Sequence, residues 1–312
     1  MVSVFTSTTD KCSLSRMKSS TPRLFCFGLG YTAQVLAAGL IAKGWSVGGT
    51  CRDRPTVTAL RAAGIEAYQF GPDHIPQDIS RLLSGATHLL SSIPPGRDGD
   101  PVLACFERDI LGLAGTLIWA GYLSTTGVYG SRDGATVREG DALAPTSDRS
   151  ARRVRAEGRW LGLADAGLPI HAFRLAGIYG PGRNVLDDVR AGRARRIDKP
   201  GHMFSRIHVD DIAAVIEASM ARPDPGAVYN VCDDEAAAPG DVVAYACDLL
   251  EMDVPPVQAF ADLEPEMSAM QRTFWADNKR VDNTRIKDEL GVKLLYPTYR
   301  EGLKACLAQA DT

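Results

Sequence analysis

The chain has 312 residues, enough for two domains or for one α/β domain with a sizeable appendage. Hydrophobic residues make up 45% and charged residues 23%, close to the globular average, which excludes disordered, collagenous and low-complexity classes. The formal net charge of -3 gives no electrostatic reason to bind a nucleic-acid backbone, so a small-molecule ligand is expected.

The seven cysteines are spread singly along the chain, without a C-x-x-C pair. The spacing and the odd total favour reduced, mostly buried thiols over a disulfide framework, and no metal site is predicted. Reduced thiols are typical of the cytoplasm, which is the expected location.

Two segments bear on targeting and membranes. Residues 1–22 are rich in Ser and Thr and are interpreted as a flexible extension, either a transit peptide or sequence upstream of a true start at Met17. Residues 110–131 are uncharged and long enough to span a bilayer. Their five glycines and the polar Ser124-Thr125-Thr126 cluster predict a helix end followed by a strand, so no membrane segment is expected.

From Leu24 onward, short apolar runs alternate with amphipathic stretches, which is typical of β-α units and a parallel sheet. Strands are predicted at 24–27, 45–50, 65–70, 87–93, 117–123 and 169–175, and helices at 32–43, 55–63, 79–83, 101–113 and 147–166. The predicted fold is α/β: a Rossmann-type doubly wound parallel sheet over residues 23–175. A small C-terminal α+β substrate lobe over residues 176–312, with interleaved returns to the sheet, completes it.

A glycine-rich turn follows the first predicted strand. Gly28-Leu29-Gly30-Tyr31-Thr32-Ala33 matches the G-x-G-x-x-G/A pattern of dinucleotide-binding proteins and opens the first helix. Gly28 allows the tight turn, Gly30 lets the backbone approach a pyrophosphate, and the small Ala33 lets helix and strand pack closely. The alternative is an ordinary strand-to-helix turn without a ligand.

The second strand ends in Thr50-Cys51-Arg52-Asp53-Arg54, where dinucleotide folds contact the adenosine ribose. A guanidinium at Arg52 can bind a 2′-phosphate bidentately, which favours NADP, with NAD as the alternative. Asp53 could bind a free 2′-hydroxyl instead, and a solvated loop without either role is the remaining alternative.

Three further motifs are carried by the runs Tyr122–Gly130, Arg174–Gly182 and Arg206–Ala213. With the glycine-rich turn, they resemble the extended short-chain dehydrogenase/reductase superfamily, in an atypical branch of its NAD(P)-dependent epimerase/dehydratase group. The resemblance covers residues 24–308. It implies that the cofactor lies against Tyr31, Thr32, Ser92, Ile93, Ala176, Gly177 and Ile178, and that the chain pairs as a homodimer through the helices around 101–113 and 147–166.

The superfamily's chemistry uses a Ser or Thr after the fifth strand and a Tyr-x-x-x-Lys pair on the next helix. Thr125 matches the hydroxyl position, whereas Arg149 stands at the tyrosine position and Arg153 at the lysine position. Arg153 can still bind ribose hydroxyls. Because a guanidinium stays protonated near neutrality, neither arginine can act as the general acid or base.

Three other residues could replace the missing proton donor. Tyr129, Tyr179 and His208 lie in motifs, each with a structural role as the alternative. The run 190–199 carries five cations and one acid. It is either a solvated helix end or an anion clamp for a phosphorylated or carboxylated substrate, such as a nucleotide sugar, with Arg183 and Arg206 as companions.

The sequence therefore leaves two functions open. The first is an NADP-dependent oxidoreductase or epimerase/dehydratase-like enzyme with Thr125, Arg149 and Arg153 in a non-standard active site. The second is a non-catalytic NADP(H)-binding regulatory or scaffold protein.

Overall fold

Seven parallel strands form the central sheet in the order Val228–Val231, Ile170–Leu175, Trp119–Thr125, His88–Ser91, Arg23–Phe27, Ser46–Cys51, Glu66–Gln69. The computed structural model describes residues 21–310. The strand order reverses beside Arg23–Phe27, as in doubly wound dinucleotide-binding sheets, and the predicted Rossmann-type α/β fold is confirmed. The interpretation of residues 1–22 falls, up to Ser20, outside the described residues.

The first half of the chain supplies most of this sheet. Its strands are β1 Arg23–Phe27, β2 Ser46–Cys51, β3 Glu66–Gln69, β4 His88–Ser91, β5 Trp119–Thr125, the short β6 Thr136–Val137 and β7 Ile170–Leu175. The helices between them are α1 Tyr31–Ala42, α2 Arg54–Ala62, α3 Ile79–Leu83, α4 Pro101–Leu111 and α5 Asp148–Gly162.

The rest of the chain adds one strand to the sheet and builds a smaller α+β layer. Its strands are β8 Gly177–Tyr179, β9 Arg196–Asp198, β10 Arg206–His208, β11 Val228–Val231, β12 Val257–Ala259 and β13 Arg280–Val281. Its helices are α6 Val185–Arg190, α7 Val209–Ala221, α8 Pro239–Leu249, α9 Phe260–Leu263, α10 Ala269–Ala276, α11 Thr284–Asp288 and α12 Tyr299–Ala310. β11 pairs with β7, and β8 with β10, β9 with β12 and β6 with β13 form two-stranded sheets.

The alternation of side chains along β1 builds a core on each face of the sheet. Leu24 and Cys26 pack into the cluster that α1, α2 and α7 cover, whereas Phe25 and Phe27 pack into the cluster that α3, α4 and α5 cover. All four side chains are fully buried, which explains why this strand is an uninterrupted apolar run.

Several predicted boundaries shift by a few residues. The strand predicted at 87–93 ends at Ser91, because its partner β1 ends at Phe27, where the glycine-rich turn begins. The strand predicted at 117–123 runs from Trp119 to Thr125, paired to its end with β7. The helix predicted to reach 166 ends at Gly162 and continues as a 3₁₀ turn.

Two sequence interpretations can be compared with these elements. Residues 110–131 contain the end of α4 followed by β5, as predicted. No helix within residues 21–310 is both long and apolar enough to cross a membrane. The six cysteines in this part of the chain are free thiols, of which Cys105 is exposed and the others are buried.

Candidate functional site: the crevice at the carboxyl ends of β1, β4 and β5

The glycine-rich turn is held against the end of β4. Gly28 has a φ of +92°, and a Cβ atom there would lie 2.7 Å from Ser92 Oγ and 2.8 Å from Ile93 Cγ1. The Ser92 hydroxyl donates a hydrogen bond of 2.6 Å to the Gly28 carbonyl oxygen, and the Gly28 N–H donates to Thr50 Oγ1 at 3.0 Å. Glycine at position 28 therefore sets the crevice between β1 and β4, where open α/β sheets bind ligands.

The amino end of α1 is open toward that crevice. A Cβ atom built on Gly30 would meet no described atom within 4 Å, and Gly30 caps α1 without a side-chain bond. The first turn of α1 contains no acidic residue. Its backbone N–H groups and the helix dipole thus fit an anionic pyrophosphate. Thr32 and Ala33 are buried just behind, and the fully buried Ala33 permits close packing on the sheet.

Arg52 and Asp53, the two candidate ribose ligands, differ in their hydrogen bonds to the rest of the protein. Asp53 caps α2: its Oδ1 accepts the Thr56 N–H at 2.9 Å and its Oδ2 accepts the Thr56 hydroxyl at 3.0 Å. These hydrogen bonds hold the pKa of Asp53 below its usual range. The exposed Arg52 guanidinium makes no hydrogen bond or ion pair with any residue between 21 and 310. Each oxygen of the acid thus accepts one hydrogen bond within the protein, whereas the guanidinium donates none to the described residues.

Tyr31 connects the turn to the segment after β8. Its hydroxyl donates to the Pro181 carbonyl oxygen at 3.0 Å, and the Arg183 guanidinium lies 5.8 Å from its ring centroid. Burial raises the pKa of Tyr31 to about 12. The hydroxyl is therefore a structural donor at neutral pH, and the exposed Arg183 is left at the mouth of the crevice.

Two of the predicted cofactor residues after β7 use their backbone donors within the protein. The Ala176 N–H donates to the Val231 carbonyl at 3.0 Å, and the Gly177 N–H donates to the Ser205 carbonyl at 3.1 Å. Ile178 lies half-buried against the core. A contact of these three residues with a cofactor stays a prediction, and at Ala176 and Gly177 it would have to use atoms other than the backbone N–H.

The side chain of Arg153 reaches from α5 to β5. Its Nη1 donates to the Leu123 carbonyl oxygen at 2.8 Å and to the Tyr122 hydroxyl at 3.2 Å. Thr125 ends the same strand half-buried, and its Oγ1 accepts the Gly127 N–H at 3.2 Å. Since that bond uses only an oxygen lone pair, the Thr125 O–H remains available to donate a hydrogen bond to a substrate.

Arg149 lies one helical turn before Arg153 on α5, on the same face. It is exposed, and its guanidinium is 5.9 Å from the ring centroid of Phe274 on α10. The tyrosine position of the superfamily therefore carries a permanent cation beside the second layer of the protein.

A buried polar network lies beneath the end of β5. Glu157 Oε1 accepts from Arg174 Nε at 3.0 Å and Nη2 at 2.6 Å, and Glu157 Oε2 accepts the Ser124 hydroxyl. Arg174 Nη1 donates to the Tyr129 hydroxyl at 2.8 Å, and Tyr129 donates to Asn230 Oδ1 at 2.7 Å. No sequence motif marks Glu157, although its position four residues after Arg153 places it on the helix face that covers β5.

The three alternative proton donors have structural roles. Tyr129 is fully buried in that network, and burial raises its pKa. Tyr179 is buried against α12, and burial raises its pKa as well. His208 is fully buried, its Nδ1 accepts the Asp210 N–H at 3.2 Å at the start of α7, and burial lowers its pKa. These contacts favour the structural alternative for all three residues.

The cations at 190–199 are largely neutralised by neighbours. Arg190 lies 3.7 Å from Asp187, Arg193 lies 3.0 Å from Asp188 and Arg195 lies 3.5 Å from Glu266. Arg206 donates to the carbonyls of Phe204 and Ala237, and burial lowers its pKa. The solvated-surface alternative is favoured over an anion clamp in this run.

A groove of about 560 Å³ runs between α2, β3 and α3 beside Arg54, Arg61 and Arg81. None of the cofactor residues predicted from the sequence lines it.

The protein was compared with known sequences and structures. No family model matches the sequence. A functionally unknown conserved protein from Silicibacter pomeroyi DSS is 51% identical, with 94% of this chain and 100% of that chain covered and a TM-score of 0.85. The chain belongs to the family of that protein. Protein YeeZ of Escherichia coli K12 is 28% identical over 278 residues, which cover 86% of this chain and 94% of YeeZ.

The fold of this family is that of the NAD-dependent epimerases and dehydratases. UDP-glucuronic acid 4-epimerase from Bacillus cereus, solved with UDP-glucuronic acid and NAD, is 15% identical at a TM-score of 0.70. The match covers 92% of this chain and 99% of the epimerase. The resemblance to an extended short-chain dehydrogenase/reductase is confirmed for the fold.

Proposed function

We propose that this protein is an NADP(H)-dependent oxidoreductase or epimerase/dehydratase-like enzyme with a non-standard active site. The observation that carries the proposal is the position of the Arg153 guanidinium. Its guanidinium is fixed by the Leu123 carbonyl and the Tyr122 hydroxyl at the end of β5, where the superfamily's lysine binds the nicotinamide ribose. A retained cation at this position, together with the open amino end of α1, supports cofactor binding.

The choice of NADP over NAD is supported by Arg52. Its guanidinium is free, whereas Asp53 is committed to Thr56. A planar guanidinium suits a 2′-phosphate because it can donate two parallel hydrogen bonds. The bound cofactor would supply a nicotinamide that accepts or donates hydride.

The side chains of this site would polarise a substrate oxygen without exchanging a proton with it. Thr125 can donate a hydrogen bond from its hydroxyl to that oxygen. Arg149, on the same face of α5 as Arg153, would add a fixed positive charge. A developing oxyanion is stabilised by such preorganised donors. The proton itself would have to come from the substrate or from water, since no arginine releases one near neutrality.

The proposed substrate is a small anionic molecule, either a nucleotide sugar or a phosphorylated compound. Two exposed cations support this class: Arg149 lies beside Phe274 and Arg183 beside Tyr31, and neither forms an ion pair with another described residue. The fold neighbour from Bacillus cereus binds a nucleotide sugar, which supports the same class here. A homodimer paired through α4 and α5 stays a prediction that sedimentation velocity can test.

Binding and turnover are tested separately. Calorimetric titration should give tighter binding of NADPH than of NADH at moderate salt. Phosphorylated sugars, nucleotide sugars and small carbonyl compounds are then screened for a change in nicotinamide absorbance. Thr125→Val should lose turnover of any substrate found while NADPH affinity is kept, because the hydroxyl is removed without loss of volume. If the protein binds neither dinucleotide, the proposal fails.

A non-catalytic NADP(H)-binding regulatory or scaffold protein is the second candidate. It is favoured by Arg149 at the tyrosine position and by the structural roles of Tyr129, Tyr179 and His208. In this case NADPH binds normally and no substrate is turned over. Arg149→Tyr combined with Arg153→Lys restores the superfamily pair, and new carbonyl reduction in that variant alone would favour this candidate.

A further inference from the structure

A basic cavity lies beside the crevice, between the loop from β4 to α4 and the outer side of α5. It has a volume of about 230 Å³, and we call it the arginine pocket. Its cationic lining consists of Arg97, Arg152, Arg155 and Arg159. None of these four residues belongs to the proposed cofactor or catalytic set.

The charges of the arginine pocket are only partly neutralised. Arg159 pairs with Glu107 at 2.7 Å. Asp100 also lines the pocket, but it is buried and already hydrogen-bonded. Its Oδ1 accepts two backbone N–H groups at the start of α4, and its Oδ2 accepts the Trp160 Nε1–H at 3.0 Å. The exposed Asp98 lies on the rim without an ion pair inside 4 Å among the described residues.

Three guanidiniums of the arginine pocket have no partner in the part of the chain that the structure describes. Arg97, Arg152 and Arg155 make no hydrogen bond or ion pair with residues 21–310. The Nε atom of Arg152 is moreover buried without an acceptor. Buried donors are almost always paired in folded proteins, so this atom indicates a missing acceptor.

The backbone holds these cations together despite their repulsion. Arg152, Arg155 and Arg159 follow the i, i+3, i+7 spacing of one face of α5. Arg97 is presented across the cavity by a tight turn that the Gly96 N–H closes on the Gly99 carbonyl at 2.8 Å. Like charges fixed around a concave surface concentrate anions there.

We propose that the arginine pocket binds a phosphate group, either as free phosphate or as a phosphomonoester. Guanidiniums on two elements can meet several oxygens of a tetrahedral anion, and each fork donates in parallel pairs. The cavity is smaller than the roughly 300–1,000 Å³ of sites that enclose drug-sized ligands, so it suits one phosphate group. This assignment does not depend on the proposed enzymatic function.

The test is calorimetric titration of the full chain with inorganic phosphate at low ionic strength, with NADPH present so that the crevice is filled. One equivalent should bind, and Arg155→Ala should weaken it about tenfold or more. Asp98→Asn should strengthen it, because the acid on the rim is neutralised. Arg108→Ala removes an exposed arginine of α4 outside the pocket and should change nothing.

Two results would overturn the assignment: phosphate affinity that is unchanged in Arg155→Ala, or an equal loss in Arg108→Ala, which indicates diffuse charge alone. NADPH affinity is measured for each variant, so failure of the pocket and failure of the proposed function remain distinguishable. Glucose 6-phosphate in place of phosphate separates the two sources. Binding of the ester assigns the site to phosphomonoesters, and exclusion of the ester while phosphate binds assigns it to the free anion.

Discussion

Thr56 occupies both carboxylate oxygens of Asp53, through its N–H at 2.9 Å and its hydroxyl at 3.0 Å. Asp53 therefore serves as the amino-terminal cap of α2, and the proposed contact with an adenosine 2′-phosphate falls to Arg52.

Replacement of Arg52 should therefore erase the preference for NADPH. In Arg52→Ala we expect NADPH affinity to fall about 10- to 150-fold, the range for lost charge-assisted hydrogen bonds, while NADH affinity is nearly unchanged. Calorimetry with both cofactors measures this ratio. Asp53→Asn keeps the cap and should keep NADPH affinity. Tighter binding of NADH than of NADPH by the unmodified protein would refute the assignment.

The two glycines of the turn should respond differently to added bulk. Gly30→Val should abolish NADPH binding with little change in Tm, because its side chain fills open space that the pyrophosphate needs. Gly28→Val should also destabilise the fold, since φ is +92° and Ser92 lies 2.7 Å from the new Cβ. Gly158→Ala adds a methyl group to open space on α5 and is the control. Undiminished binding in Gly30→Val would contradict the cofactor site.

The arginines of α5 that replace the tyrosine and lysine should separate in binding assays. Arg153→Ala should weaken NADPH binding, and Arg153→Lys should restore most of it, because a cation at this position reaches ribose hydroxyls. Arg149→Ala should leave the affinity unchanged. A tyrosine shuttle contributes about 10²–10⁴-fold to rate, so reduction of ordinary carbonyl compounds should be very slow. Rapid turnover with a limb near pH 10 would contradict this, because no arginine titrates there.

The ion pair between Glu157 and Arg174 should be costly to break from one side. Their side chains are 2% and 6% exposed, and Glu157 holds the pKa of Arg174 above its usual range against the effect of burial. Glu157→Gln should cost about 3–5 kcal/mol in urea unfolding, because a buried guanidinium is left uncompensated. Glu107→Gln breaks an exposed pair and should cost below about 1 kcal/mol. Equal losses would mean that burial is not the cause.

Stability should fall as the pH rises from neutrality toward 8. Burial raises the pKa of Asp233 to about 8, even though Arg206 acts to lower it, so the folded state holds a proton that the unfolded state has already lost. The free energy of unfolding then drops with pH, by at most about 1.4 kcal/mol per unit. The buried His88 and His202, with pKa values lowered to about 4, act only below pH 6.5. Urea unfolding between pH 6.5 and 8.5 should show this slope, and Asp233→Asn should remove it.

Periodicity and turn chemistry were sufficient to predict six of the seven strands of the main sheet and the glycine-rich turn, but not β11. The apolar run at Leu24–Phe27, the glycines after it and the β-α alternation are local signals, and each β-strand of the first 175 residues that joins the main sheet lies within a few residues of its predicted place. The assignment of Arg153 to the lysine position rests on its i, i+4 relation to position 149, which is also local, and its role stays a prediction.

Contacts between distant segments were not predictable in this way. Arg97 meets α5 only after folding has brought the loop between β4 and α4 against that helix. Glu157 of α5 pairs with Arg174 of β7, which follows the helix in the chain. The charge of residues 190–199 looked functional because the acids that pair with three of its arginines, Asp187, Asp188 and Glu266, lie outside the run.

The position of β11 has a consequence for how the chain folds during synthesis. This strand comes from residues 228–231 yet covers the flank of β7, and its Asn230 accepts the Tyr129 hydroxyl within the buried network. A polypeptide that stops at residue 175 would expose the hydrogen-bonding edge of β7 and leave Tyr129 without its acceptor. Uncovered strand edges recruit other chains. A truncated first half should therefore aggregate, and during synthesis the sheet stays open until more than fifty further residues have left the ribosome.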